Sequence, residues 1–162
     1  MVRKAAKKDI SRIAEIIVFG KRVAYRSIFQ NDEVSFNEMQ VIPLWEEYKE
    51  NPEMLEHMLV FDDGIVKGVI NCKSVGDEVE ICEFYVEPFF KRQGIGRELI
   101  QNVIAEAKAT QKKRIFLWVL EENGSARGFY EANGFRASGE TCLVEGTCKV
   151  DMCYEYIFEG NR

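Results

Sequence analysis

Phe90-Lys91-Arg92-Gln93-Gly94-Ile95-Gly96-Arg97 joins a stretch of strand character to a stretch of helix character. Upstream, residues 79–86 (V-E-I-C-E-F-Y-V) read as a strand that stops at Glu87-Pro88. Downstream, Ile95, Leu99, Val103 and Ala107 recur every fourth residue, the mark of an amphipathic helix. The two glycines let backbone approach a ligand closely, and the first helical turn carries N–H groups with no intrahelical partner. With the positive end of the helix dipole and Arg92 and Arg97 nearby, the segment suits a pyrophosphate. The alternative is an ordinary tight turn with solvated basic side chains. It lacks the Lys-Ser/Thr ending of a P-loop. Leu99 also stands where a dinucleotide fingerprint needs its third glycine.

Working outward, residues 2–5 read as a short opening strand. Asp9 then reads as the N-cap of a helix with Ile10, Ile13 and Ile17 at helical spacing. The S-F-N-E run from Ser35 has capping-box form and leads into a second helix, interrupted or restarted at Pro43. Residues 58–61, the turn Asp62-Asp63-Gly64 and residues 65–72 read as a hairpin. Residues 114–120 (R-I-F-L-W-V-L) are almost wholly apolar, which predicts a central strand buried on both faces. Residues 125–132 predict a short helix closed by Asn133-Gly134. Residues from 135 onward, and residues 149–158, supply two last strands around a turn at Glu145-Gly146. The order is strand, two helices, three strands, helix, strand, helix, two strands. That is a mixed α/β sheet and not the regular alternation of a doubly wound fold. With three prolines and no linker or repeat, the chain reads as one domain over residues 1–162.

Composition narrows the class. Hydrophobic residues make up 46% of the chain, and 11 Phe, 6 Tyr and 2 Trp can seed a core, which excludes disorder as the main state. With 22 basic against 27 acidic residues the net charge is −5, which argues against nucleic acid as a partner and is compatible with a cationic substrate. No apolar run approaches the roughly 18 residues that span a bilayer, so no membrane is expected. The basic N-terminus lacks a signal-peptide core, and a reducing cytoplasm is the expected compartment. Five cysteines form no C-x-x-C pair, and all but Cys148 have apolar neighbours and read as buried. No cluster has metal-ligand spacing, and His57, the only histidine, reads as surface structure, which weakens every triad needing a His base.

A second motif, E-N-G-S-A-R-G-F-Y-E-A-N-G-F at residues 122–135, joins the K-R-Q-G-I-G of residues 91–96 and the E-F-Y-V ahead of Glu87-Pro88. Together they make the chain resemble the GNAT superfamily of acyl-CoA-dependent N-acetyltransferases. That family's central motif is Arg or Gln, two residues, Gly, one residue, then Gly or Ala. Lys91 stands where Arg or Gln is usual, a departure that touches one side-chain contact and not the main-chain cradle. The resemblance implies a central, mostly antiparallel twisted sheet of about seven strands with about four flanking helices, and a splayed strand pair that forms a wedge for coenzyme A.

What the resemblance implies for single residues can be set beside what the residues say alone. Pantetheine would pair with main-chain groups of Phe84, Tyr85 and Val86, in the manner of strand addition. Amides from Arg92 through Gln93, Gly94, Ile95, Gly96 and Arg97 would hold the pyrophosphate. Asn123 is an N-cap by position and a pantetheine contact by resemblance. Tyr130 shares a helical face with Ala126 and Phe129, so it is either core or the acid that protonates the departing thiolate. Strand alternation puts Ile81, Glu83 and Tyr85 on one face. Glu83 is there either the base for an attacking amine, directly or through water, or an exposed carboxylate or salt-bridge partner. Trp45, Tyr48 and Tyr25 fall where the family shapes its acceptor pocket, with packing as their alternative role. The activity implied is acetyl transfer from acetyl-CoA to a primary amine of a small molecule or peptide, by direct attack in a ternary complex and without metal. Its rival is a non-catalytic acyl-CoA-binding or regulatory module. Family members often dimerise, and residues 135–158 are the expected place.

Overall fold

The computed structural model describes residues 1–30 and 38–158. Seven strands and four α-helices follow the expected order: β1 (Val2–Lys4), α1 (Ile10–Phe29), α2 (Val41–Glu50), β2 (Met58–Asp62), β3 (Val66–Val75), β4 (Glu78–Val86), α3 (Ile95–Ala109), β5 (Arg114–Leu120), α4 (Gly124–Ala132), β6 (Arg136–Leu143) and β7 (Val150–Ile157). The strands lie in the order β1-β2-β3-β4-β5-β7-β6. The β1/β2, β2/β3, β5/β7 and β6/β7 pairs are antiparallel and β4/β5 is parallel, which gives the mixed α/β sheet the element order predicts. Two compact units divide the chain: Met1–Cys72 with Glu83–Asn102, and Lys73–Cys82 with Val103–Arg162.

In the first unit, Ile10, Ile13, Ile16 and Ile17 on α1 pack with Tyr48, Leu55, Met58, Val60, Val66 and Val69. Asp9 precedes α1 but its carboxylate does not cap the helix. It accepts from the Ala6 amide at 2.8 Å and takes the Arg3 guanidinium at 2.7 and 2.9 Å. Pro43 does not interrupt α2: it lies in the first turn, where the missing N–H has no intrahelical acceptor to lose. The S-F-N of the expected capping box lies outside the described residues.

In the second unit, Ile115, Leu117, Val119 and Leu120 of β5 are buried, as are Val103, Ala107, Phe135 and Tyr154. The strand is central, but the face of Phe116, Trp118 and Leu120 is covered only in part: Leu120 is buried while Trp118 keeps 38% of its surface. An apolar run cannot by itself distinguish a covered face from an open one. The Phe116 ring on that face lies 4.9 Å under the Arg114 guanidinium. Cysteine burial also departs from expectation. Cys153 alone is buried, Cys72 is half-buried, and Cys82 and Cys142 are exposed with Cys148. Apolar neighbours at i±1 in a strand point to the opposite face, so Ile81 is buried because Cys82 is not. No described helix is long and apolar enough to cross a membrane.

Candidate active site

The loop between β4 and α3 begins on a fixed turn. The Glu87 amide donates to the Lys67 carbonyl at 2.9 Å, and the Glu87 carboxylate accepts from the Phe89 amide at 3.2 Å. The second carboxylate oxygen meets Arg12, 3.3 Å away, whose Nε donates to the Val66 carbonyl at 2.9 Å. Glu87 is only 8% exposed, and a buried carboxylate without such partners would cost several kcal/mol. Gly68 of β3 completes the support. A Cβ there would sit 2.9 Å from Ile95 and 3.0 Å from Leu99, so only glycine lets the start of α3 approach this close.

From this base the backbone turns through two left-handed residues, Arg92 (φ 61°) and Gly94 (φ 82°), into α3. The Glu98 amide donates to the Gly94 carbonyl at 2.9 Å, which makes Gly94 the residue before the first helical turn. Among the described residues, no amide from 92 to 97 finds a hydrogen-bond acceptor, and Lys91, Arg92 and Arg97 enter no ion pair. The segment is therefore a row of unpaired N–H donors at the positive end of a 15-residue helix, with three cations in or beside it. Those are the requirements of a pyrophosphate, and the residues present fit one.

In the same unit, β4 puts Glu83 and Tyr85 on one face, as alternation predicts, and both meet α1. The Tyr85 ring lies over Gly20, where an added Cβ would fall 2.6 Å from the ring, and its hydroxyl is 3.1 Å from that of Tyr25. A mid-helix glycine costs about 1 kcal/mol relative to alanine, so Gly20 marks a close approach that α1 needs. Glu83 is a salt-bridge partner: Lys21 Nζ donates to its Oε1 at 2.9 Å. Tyr48 on α2 is 3% exposed, and its hydroxyl has no partner among the described residues. Burial first, then the negative charges of Glu83 and Glu47, push its phenol upward. Trp45 is half-buried against the core, as the packing alternative has it, and His57 is exposed. Phe84 and Val86 are half-buried on the other face of β4. The register of β4 with β5 covers Glu78–Glu80 against Arg114–Phe116, and β4 runs on to Val86.

Asn123 and Tyr130 belong to the second unit. The Asn123 side chain accepts from the Ala126 amide at 3.2 Å, an N-cap in fact as well as in position. Tyr130 is 9% exposed, with its ring against Phe129, Phe135 and Tyr154 at centroid separations of 5.5, 5.8 and 6.4 Å. The Tyr154 hydroxyl donates to Glu131 at 2.7 Å and accepts from Arg127 at 3.1 Å, which ties α4 to β7 over one helical turn. Gly134 (φ 89°) then reverses the chain, and the Phe135 amide donates to the Tyr130 carbonyl at 3.1 Å. Glu87, Arg12, Gly68 and Lys21 were not singled out from sequence. A glycine inside a strand pattern and one inside a helix pattern were the readable hints, whereas side-chain pairings across 75 and 62 residues leave no local trace.

The profile of the acetyltransferase (GNAT) family matches residues 22–135. An uncharacterised N-acetyltransferase of Methanocaldococcus jannaschii is 43% identical over 89 residues, covering 46% of this chain and 39% of that protein. A putative ribosomal protein bS18-alanine N-acetyltransferase of Bacillus subtilis is 28% identical over 96 residues, covering 59% of this chain and 62% of that one. The chain thus spans less than two thirds of the length of these curated relatives. The crystal structure of the PaiA N-acetyltransferase of Thermoplasma acidophilum in complex with coenzyme A superposes with a TM-score of 0.75 at 19% identity, covering 98% of both chains. The ribosomal-protein-S18-alanine N-acetyltransferase of Escherichia coli superposes at 0.70 with 17% identity, covering 97% of this chain and 92% of that one. At such identities these structures establish the shared fold. The family profile runs through both sequence motifs, from Arg22 on α1 to Phe135 after α4, and the chain belongs to the acetyltransferase (GNAT) family of N-acetyltransferases.

Proposed function

We propose that this chain, acting as one domain over residues 1–162, transfers an acetyl group from acetyl-CoA to a primary amine of a small molecule or peptide. The observation that carries this reading is the row of unpaired amides over residues 92–97 within a chain of this family. Those amides, with Arg92 and Arg97, hold the pyrophosphate. Main-chain groups of Phe84, Tyr85 and Val86 take the amides of the pantetheine arm, and Asn123 adds its side chain while it caps α4. The Val86 N–H would meet the thioester carbonyl oxygen of bound acetyl-CoA and stabilise the charge that develops there. When bound, acetyl-CoA supplies an acyl group already activated as a thioester.

Glu83 accepts a proton from the acceptor's ammonium, which at neutral pH is almost wholly protonated. Tyr130 delivers a proton to the sulfur as it departs, and a phenol is acidic enough for that duty. The amine attacks directly, and no acetyl-enzyme is involved. Two of the similar proteins act, by name, on an alanine of a ribosomal protein, so a peptide N-terminus belongs among the acceptors tested beside polyamines and lysine.

The cradle is tested by calorimetry. Gly94→Ala puts a side chain on a backbone at φ 82°, a conformation that costs an L-residue about 1–2 kcal/mol. Acetyl-CoA should bind about tenfold more weakly to this variant. Unchanged binding would remove the 92–97 segment from the cofactor site.

A further inference from the structure

Lys21 is a primary amine held on the carboxylate assigned as the base. Its Nζ donates to Glu83 Oε1 at 2.9 Å and lies 5.9 Å from the centre of the Tyr85 ring. Lys21 and Glu83 keep 26% and 25% of their side-chain surface, so the pair is reachable without being fully solvated. Tyr25 reaches the same place through its hydroxyl contact with Tyr85, and the Glu83 charge acts on the buried Tyr48 from α2. Every acceptor of the proposed reaction brings an ammonium that has to meet Glu83. Lys21 already stands in that position, on a helix locked to β4 where the Tyr85 ring lies on Gly20. An amine held this way reacts at an effective concentration far above that of a dissolved one.

We infer that Lys21 is a self-acetylation site: without a competing amine, its Nζ receives the acetyl group of acetyl-CoA. The inference rests on the proposed acetyltransferase reading and on Glu83 as its base. Glu83 takes a proton from the Lys21 ammonium, and the freed lone pair forms an N–C bond to the thioester carbonyl carbon. The C–S bond breaks and its electron pair leaves with sulfur. Of the two protons the ammonium loses, one ends on the CoA sulfur and the other reaches solvent through Glu83. The product is a neutral amide beside Glu83. It removes the lysine charge and fills the acceptor position, so the modified chain turns over external amines more slowly.

The test incubates the full chain with acetyl-CoA and no acceptor, then follows intact mass and peptide maps. One acetyl group should appear on Lys21, at a rate independent of protein concentration. It should be absent in Lys21→Arg, which keeps a cation beside Glu83. Glu83→Gln should slow it at least tenfold. Non-enzymatic acetylation instead favours the most exposed amines, such as Lys73 and Lys113 at 59% and 61% side-chain exposure. Labelling of those with Lys21 unmodified would overturn the inference, as would Lys21 labelling indifferent to Glu83→Gln. The same protein is assayed with an amine panel. Turnover of external amines with Lys21 unmodified defeats self-acetylation alone, and neither reaction defeats the functional reading as well.

Discussion

Tyr130 packs its ring against three aromatic neighbours, so Tyr130→Phe removes one oxygen and leaves that packing in place. If the phenol serves the departing sulfur, the variant should lose at least tenfold in kcat while KM for acetyl-CoA stays within about twofold. Steady-state kinetics decide it: a kcat within about twofold of wild type would leave Tyr130 a core residue only. From sequence, the helical spacing of Ala126, Phe129 and Tyr130 gave Tyr130 its packing role, and only the family resemblance gave it the catalytic one. The ion pair on Glu83 was legible only as one alternative, since nothing near residue 83 indicates that Lys21 lies opposite. Asn123 was readable in its capping role because a cap is local: donor and acceptor are three residues apart.

At the scale of elements, the loop proposed as the cradle is held by contacts the sequence hints at but does not name. Gly68→Ala places a methyl against Ile95 and Leu99, two residues at 3% exposure or less. The start of α3 has to shift, at a cost of about 1–3 kcal/mol by the usual penalty for overpacking. Denaturant titration should show that loss, and acetyl-CoA affinity should fall with it because the displaced turn carries the cradle amides. The junction of β1, β2 and the start of α1 is held by Arg3, which bridges Asp9 and Asp62. Its hydrogen bonds hold the Asp9 carboxyl below the usual carboxylate range. A carboxylate depressed on folding stabilises the fold above its unfolded pKa, about 3.9, and that contribution is lost as pH falls through the lower folded value. Asp9→Asn should therefore cost about 1–2 kcal/mol at pH 7, with Arg3 partly exposed to solvent. The gap from wild type should narrow at acid pH, as the carboxyl titrates through its depressed folded value. Equal gaps at neutral and acid pH would contradict the linkage. Elements themselves were well marked in the sequence, because periods of 2 and 3.6 survive in β2–β4 and in α1 and α3. The faces of β5 and the cysteine environments were not. Burial depends on what a distant element covers, and an apolar neighbour in a strand faces the other way.

Across the whole molecule, a chain of net charge −5 carries a local positive site at Lys91, Arg92 and Arg97. Overall charge therefore says nothing against an anionic cofactor, and the acidic remainder suits a cationic acceptor. The order of elements, readable from alternation, periodicity and turns, was enough to separate this mixed sheet from a doubly wound one. Which acceptor amine is used was not readable, because no local pattern reports how side chains distant in sequence come together. One assay tests acetyl transfer directly: thiol release from acetyl-CoA by the full chain across a panel of amines, with the acylated products weighed by mass spectrometry. Amine-dependent thiol release, matched mole for mole by an N-acetylated amine, is the predicted result. Tight acetyl-CoA binding with no amine-dependent release across the panel would contradict it and leave a binding module in place of an enzyme.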